Sequence, residues 1–513
     1  VTAIGRVVLL VAVSGMLSAQ ARDPDPWRPV VHFTPPSNFM NDPNGLVYFE
    51  GEYHLFYQHN PQGNEWGHMS WGHAVSRDLL AWEHLPVALH EADGWMIFSG
   101  SAVVDRTNTS GLCDDRPGTP TPCLIAVYTA HGHGRQTQNL AFSRDRGRTW
   151  TKYAKNPVID AGMADFRDPK VLWHEPTRRW VMAVALPKEH RIRFYGSADL
   201  KAWTALSDFG PAAATGGVWE CPDLFPLAVA GSNETKWVLI VSLNPGGVAG
   251  GSGTQYFVGA FDGERFIPEG GTTQPRWADF GKDFYAAQSW SDTPDARRIW
   301  VGWMSNWEYA NREPTLTWRG AQSLPRELSL RRRADGLTLV QRPIGELSRW
   351  RHAGTTTSKV AVGPIPSPLI GLVEAPLELR LTIDPGTARR LSLSIRATGD
   401  SAGPPEETSV VYDRPAATLS VDRTRSGRVD FHERFPGRQD APLRLADGAP
   451  LALAIVLDRS SIEVFADDGA VVITDRIFRT AGRRRLEIQA EGGTATVTKM
   501  ESWRLVRPST GQP

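Results

Sequence analysis

Cysteine is scarce in this chain, with three residues among 513. None stands at metal-ligand spacing from another Cys or His, so a zinc site is not expected. Cys113 and Cys123 flank a Pro/Gly/Asp loop and could pair in an exported protein, where so short a loop contributes ~2–3 kcal/mol on a chain-entropy model. Cys221 has no neighbour in sequence to pair with. Net charge is missing too: 56 basic residues balance 56 acidic ones, which speaks against nucleic acid or an anionic membrane as the main partner. No apolar run approaches the ~20 residues that cross a bilayer. The nearest, residues 7–17, follows Arg6 and precedes Ala19-Gln20-Ala21, the pattern of a cleaved signal peptide. Residues 1–21 are therefore expected to be a leader, and the mature protein to be secreted, extracellular or periplasmic.

Long helical periodicity is also lacking. Short apolar strands alternate with Gly, Pro, Asn and Asp turns, which predicts an all-β protein, and the length predicts more than one domain. Tryptophan is abundant, 19 against 10 Tyr, as suits inter-sheet packing or stacking on sugar faces. A repeat runs through the first part: Ser76-Arg77-Asp78 with Trp82, Ser143-Arg144-Asp145 with Trp150, and Ser197-Ala198-Asp199 with Trp203. Each unit reads as an outer hairpin whose Asp turns the chain and whose ring packs between sheets. Recurrence at tens of residues marks a propeller, here of about five blades, over residues 28–335. Residues 336–351 read as a linker with a short helical connector. From 352 to 508 the strands lengthen and alternate, as at 377–383, 390–397, 451–457 and 471–478, which predicts a β-sandwich.

Three stretches place a carboxylate beside a proline at the start of a strand-like run: Asn41-Asp42-Pro43-Asn44-Gly45, Phe166-Arg167-Asp168-Pro169 and Trp219-Glu220-Cys221-Pro222. One Asp-Pro is ordinarily a turn. Three in phase with a repeat, each wrapped in aromatics, predict acids at equivalent slots of inner strands, converging on one axial pocket. Cleavage of an acetal with retention needs an ionised nucleophile and a proton donor roughly 5–5.5 Å apart. Glu220, between Trp219 and Cys221, has the least polar sequence neighbours and is expected to keep the proton. Asp42, beside Asn41 and Asn44, is expected to be the anionic nucleophile. Arg167 is expected to hold Asp168 anionic, ready to accept sugar hydroxyls and favour a cationic transition state. Asp165 and Asp223 read as structural, and His131-Gly132-His133 as a solvent-facing loop.

These motifs, with Phe56-Tyr57-Gln58-His59-Asn60-Pro61, Trp66-Gly67, Phe98-Ser99-Gly100-Ser101 and Ser461-Ile462-Glu463-Val464-Phe465, resemble glycoside hydrolase family 32, which contains invertases, inulinases and levanases. The resemblance covers essentially the whole mature chain. It implies a five-bladed propeller with a C-terminal sandwich, and retaining hydrolysis of β-fructofuranosides without cofactor or metal. It implies Asp42 as nucleophile, Asp168 as transition-state stabiliser and Glu220 as acid/base. Asn41, Gln58, Trp66, Phe98, Ser99 and Arg167 would line the pocket for the terminal fructosyl unit. Gly302-Trp303-Met304-Ser305-Asn306-Trp307-Glu308-Tyr309 resembles the exo-acting members and suggests Trp303 as a further pocket residue. The expected substrate is levan or inulin, with some sucrose. Rival readings are a fructosyltransferase of the same family, a fructan-binding protein without catalysis, and an arabinose-directed furanosidase.

Overall fold

The computed structural model describes residues 25–116, 119–334, 336–373, 375–398, 405–480 and 482–508. The expected leader, residues 1–21, lies outside the described residues. The protein is all-β; its helices are 3-10 turns of three to six residues, and no helix among the described residues is long and apolar enough to cross a membrane.

Five sheets of four or five strands, antiparallel except for one pair in the first, occupy the first part. Their first strands are Asn38–Phe49, Met96–Asp105, Arg167–His174, Val218–Ala228 and Tyr285–Ser289. Each of these touches the first strand of the next sheet, and the fifth returns to the first, so the sheets form a closed ring. Trp318–Arg319 closes it chemically, pairing in parallel with Asn38 and Phe39 at the edge of the first sheet. A late segment thereby covers an early sheet edge that would otherwise expose unpaired backbone groups. The second strands are nearly all buried, as Glu52–Asn60 and Arg179–Leu186 illustrate, because adjacent sheets pack on both faces.

The Ser-x-Asp-Trp units sit between third and fourth strands of the first three sheets. Asp78 Oδ1 accepts the N–H groups of Leu80 and Ala81 (3.0 and 2.7 Å), and the Trp82 indole donates to Leu79 O (3.1 Å). Asp145 with Trp150 and Asp199 with Trp203 repeat the arrangement. The carboxylate satisfies the turn while the indole folds back against the sheets, which explains the recurrence.

The fifth sheet runs past residue 335. Gly336–Pro343 pairs along its whole length with Arg326–Arg333, so half of the stretch read as a linker is a strand. Alternating Leu337, Leu339 and buried neighbours supply its inward face. The connector is the 3-10 helix Gly345–Trp350, held by buried Leu347 and Trp350. Beyond it, one sheet containing Leu377–Asp384, Leu451–Leu457 and Ser461–Ala466 faces another containing Arg390–Ala397, Glu407–Asp413 and Arg484–Glu491. The core between them is aliphatic, built on residues such as Leu379, Leu393, Ile455 and Ile488, and contains no tryptophan.

The two parts meet through buried ions. Arg326 Nη2 lies 2.6 Å from Glu463 Oε2 and its Nη1 lies 2.9 Å from Asp279 Oδ2. His32 bridges Asp458 and Glu463 at 2.8 Å each. Glu463 belongs to the Ser461–Phe465 motif, so that motif serves the junction.

Candidate active site

All five inner strands carry a β-bulge near their starts, two residues opposing one on the neighbouring strand. The bulged pairs are Asn41-Asp42, Phe98-Ser99, Asp168-Pro169, Cys221-Pro222 and Ala286-Ala287. A bulge bends its strand and re-aims its side chains, here toward the axis of the ring. Asp168, Cys221 and Ala286, the first bulged residues of the last three sheets, adopt left-handed backbone with φ of 64°, 48° and 51°. The register also corrects the expectation of one acid slot. Asp42 is the second residue of its bulge, Asp168 the first, and Glu220 the residue before. Three adjacent slots on three strands aim at one point because the strands approach it from different directions.

The point is a cavity of about 350 Å³ lined by Asp42, Asp168 and Glu220. Asn41, Gln58, Trp66, Phe98, Ser99 and Arg167 line it as well. Trp66 is 41% exposed at the rim, edge-on to Phe98. Asn41 Oδ1 and Gln58 Nε2 are buried without a hydrogen-bond partner among the described residues, leaving one acceptor and one donor for a ligand.

Cys221 joins the acids. Its thiol lies 3.5 Å from both Asp42 Oδ2 and Asp168 Oδ2, and its backbone N–H donates to Asp168 Oδ2 at 2.9 Å. Ser99 Oγ donates to Asp42 Oδ2 at 2.8 Å. Burial, with the charge of Glu220 second, pushes Asp42 up to about 6, against the Ser99 hydrogen bond. Burial pushes Asp168 up to about 7; Arg167 opposes this, while Glu220 and Asp42 add to it. The arginine therefore does not hold Asp168 in the ordinary carboxylate range, because desolvation outweighs it.

Arg167 instead grips other acids. Its Nε and Nη2 lie 3.0 and 2.9 Å from Glu220 Oε1, and Nη1 lies 2.9 Å from Asp165 Oδ1. The second oxygen of Glu220 accepts the hydroxyl of Tyr285. The surroundings of Glu220 are thus polar and rich in donors, unlike its sequence neighbours. Trp219 points out of the cavity into the packing between the third and fourth sheets, near Phe209 and Phe257.

Trp303 does not reach the cavity. It is fully buried, pairs across the fifth sheet with Tyr285, and stands behind Trp307, whose ring centroid is 4.7 Å away. Trp307 lines the cavity in its place. His131 also turns inward, stacked on Phe98 at 4.5 Å, with Gln136 beside it. Asp165 reaches the cavity edge through Arg167, whereas Asp223 is a structural acid, 3.1 Å from Lys170 and bonded to Ser289 N. Cys113 and Cys123 form a disulfide and Cys221 is free. His131 and Gln136 pair beside the turn of the second sheet's central hairpin, where sequence carries only a Gly-rich turn signal. Trp307 was within the motif already singled out, one helical turn's length from Trp303, but no periodicity separates the two.

Known proteins share this architecture. The chain is 47% identical over 503 residues to a levanase of Bacillus subtilis (strain 168), covering 96% of this chain and 72% of that one. It is 39% identical over 519 residues to an extracellular exo-inulinase of Aspergillus awamori, covering 94% and 95%. The crystal structure of exo-inulinase from Aspergillus awamori superposes with a TM-score of 0.86 at 37% identity, over 94% of this chain and 99% of that one. The glycosyl hydrolases family 32 N-terminal domain matches residues 32–343 and the family 32 C-terminal domain residues 347–504. With both family domains matched in order across the ring and the two facing sheets, the chain belongs to glycosyl hydrolase family 32.

Proposed function

We propose that this protein is a secreted exo-acting β-fructosidase that releases terminal fructose from levan or inulin and also cleaves sucrose. The observation that carries the reading is the meeting of Asp42, Asp168 and Glu220 in one cavity sized for a sugar ring. The names of the levanase and exo-inulinase relatives support the substrate class. The five sheets act as the blades of a five-bladed propeller, a reading supported by the cyclic contact of their first strands. The catalytic domain extends through residue 343, and the two facing sheets form the sandwich domain.

In this reading Asp42 attacks the anomeric carbon and Glu220 protonates the leaving oxygen, giving a fructosyl-enzyme that water cleaves with retention. Burial, reinforced by the neighbouring carboxylates, raises Asp42 and Asp168 toward neutral pH. Asp168 accepts hydroxyls of the bound ring, and its charge favours the oxocarbenium-like transition state. Asn41 and Gln58 contribute the unpaired acceptor and donor, while Trp66, Phe98 and Trp307 supply apolar walls.

The test is product chromatography on levan, inulin and sucrose, with NMR of the first-formed anomer. Free fructose as the sole early product from the polymers, released as the β-anomer, supports the reading. Oligosaccharides would mean endo action, and chain lengthening at high sucrose would mean transfer.

A further inference from the structure

A second, larger cavity opens at the opposite end of the ring's axis. Two of the strands that present acids near their starts, Arg167–His174 and Val218–Ala228, also border this cavity farther along, through Trp173 and Leu224, and Met96–Asp105 adds Val104. Its volume is about 870 Å³, and it shares no lining residue with the acid-lined cavity. Between the two along the strands lies a polar plug: Lys170 Nζ donates to Ser289 O at 2.9 Å and pairs with Asp223 at 3.1 Å, while Ser101 Oγ donates to Pro169 O at 2.8 Å. The far cavity is therefore a separate compartment.

We propose that this cavity is a non-catalytic binding site for a neutral oligosaccharide. That the oligosaccharide is a fructan rests on the function proposed above. Trp173 and Trp237 are partly buried indoles lining it. Each is fixed: Trp173 donates its N–H to Glu175 Oε2 at 2.6 Å and meets Trp180 edge-on at 5.2 Å, and Trp237 packs against Phe261 at 5.2 Å. Fixed indoles in a cavity wall suit the C–H face of a sugar. At the rim, Arg106 Nη2 lies 2.8 Å from Asp292 Oδ1, and Arg178 lies 3.8 Å from Glu175. Such pairs offer donors and acceptors together while cancelling their charge, which fits vicinal hydroxyls better than an anion. Arg298, stacked on Phe225 at 5.0 Å, uses Nη1 on Trp290 O at 3.0 Å and presents its guanidinium at the cavity wall. A site remote from the acids lets a polymeric substrate stay tethered while its end is trimmed, raising the effective concentration of chain ends.

The experiment uses the full chain in two forms. In an Asp42→Asn background, which blocks turnover, calorimetry with a short inulin-type oligosaccharide is expected to give two binding events, of which Trp237→Ala removes one. In the active chain, Trp237→Ala is expected to raise KM for polymeric inulin or levan about tenfold while kcat and sucrose kinetics stay unchanged. Arg106→Ala with Asp292→Ala, on an exposed pair, carries the same test if the tryptophan variant does not fold. A single binding event untouched by these substitutions, or displacement of the second ligand by phosphate or citrate at low concentration, would overturn the proposal. Loss of the functional reading looks different: two binding events would persist in a chain that releases no fructose.

Discussion

Tyr285 donates its phenolic hydrogen to Oε2 of Glu220, across the seam between the fourth and fifth sheets. The two residues occupy the same slot of their strands, immediately before the bulge. The bond fixes which way the carboxylate faces. Tyr285→Phe removes that restraint and is therefore expected to lower kcat about tenfold in steady-state assays, with KM changing little. An unchanged kcat would mean that Tyr285 does not position Glu220 for the reaction.

The hydrogen bond that Ser99 donates to Asp42 stabilises the anion of that acid. Asp42 lies near 6 with that bond in place. Ser99→Ala removes a group that stabilises the anion, so the acid limb of kcat/KM is expected to move to higher pH by about 0.5–1 unit. Asp42→Ala should lower kcat by a factor of about 10³ or more at every pH. Steady-state pH profiles of the two variants check both outcomes.

Burial raises Asp168 from its usual 3.8 to about 7, so the folded protein binds this proton more tightly than the unfolded chain. Its ionisation thus opposes folding increasingly as pH rises from about 4 to 7, and fully above 7. Asp168→Asn is expected to raise stability at pH 8 by about 1–3 kcal/mol relative to wild type, with little gain at pH 4. Activity should fall by orders of magnitude in the same variant. Denaturant melts at the two pH values provide the comparison.

His32 gives the reverse dependence at the junction of the two parts. Burial pulls its imidazole down, but hydrogen bonds and charge from Asp458 and Glu463 prevail and raise it to about 9. A raised imidazole stabilises the fold fully below its unfolded value of 6.5 and loses that contribution as pH climbs through 9. Thermal midpoints are expected to fall between pH 6.5 and 9 more steeply in wild type than in His32→Gln, with a difference of up to about 3 kcal/mol across the window. Parallel slopes would mean that the proton is not held in the fold.

Local chemistry made much of this legible. Asp78, Asp145 and Asp199 advertise their hairpins because a side-chain carboxylate capping a turn needs only neighbours in sequence. The acids Asp42, Asp168 and Glu220 stood out because each sits beside a proline at a strand start, and all three do line one cavity. Gly336–Pro343 reads as linker in the sequence because its pairing partner, Arg326–Arg333, identifies it as a strand only once the two are laid side by side. Trp303 and Trp307 are four residues apart, and only the pairing of Trp303 with Tyr285 settles which ring faces inward.

Strand content, the repeat, the pairing of acids with prolines and the division into a tryptophan-rich and an aliphatic part were written in the chain order, since each depends on residues within a few positions of one another. The partners of those acids were not. Arg167 turning to Glu220 and away from Asp168, the thiol of Cys221 between two carboxylates, and the cavity at the far end of the axis all arise where strands distant in sequence converge. Electrostatic surroundings and enclosed volume are set by neighbours in space, and a bulge of one residue is enough to change which neighbours those are.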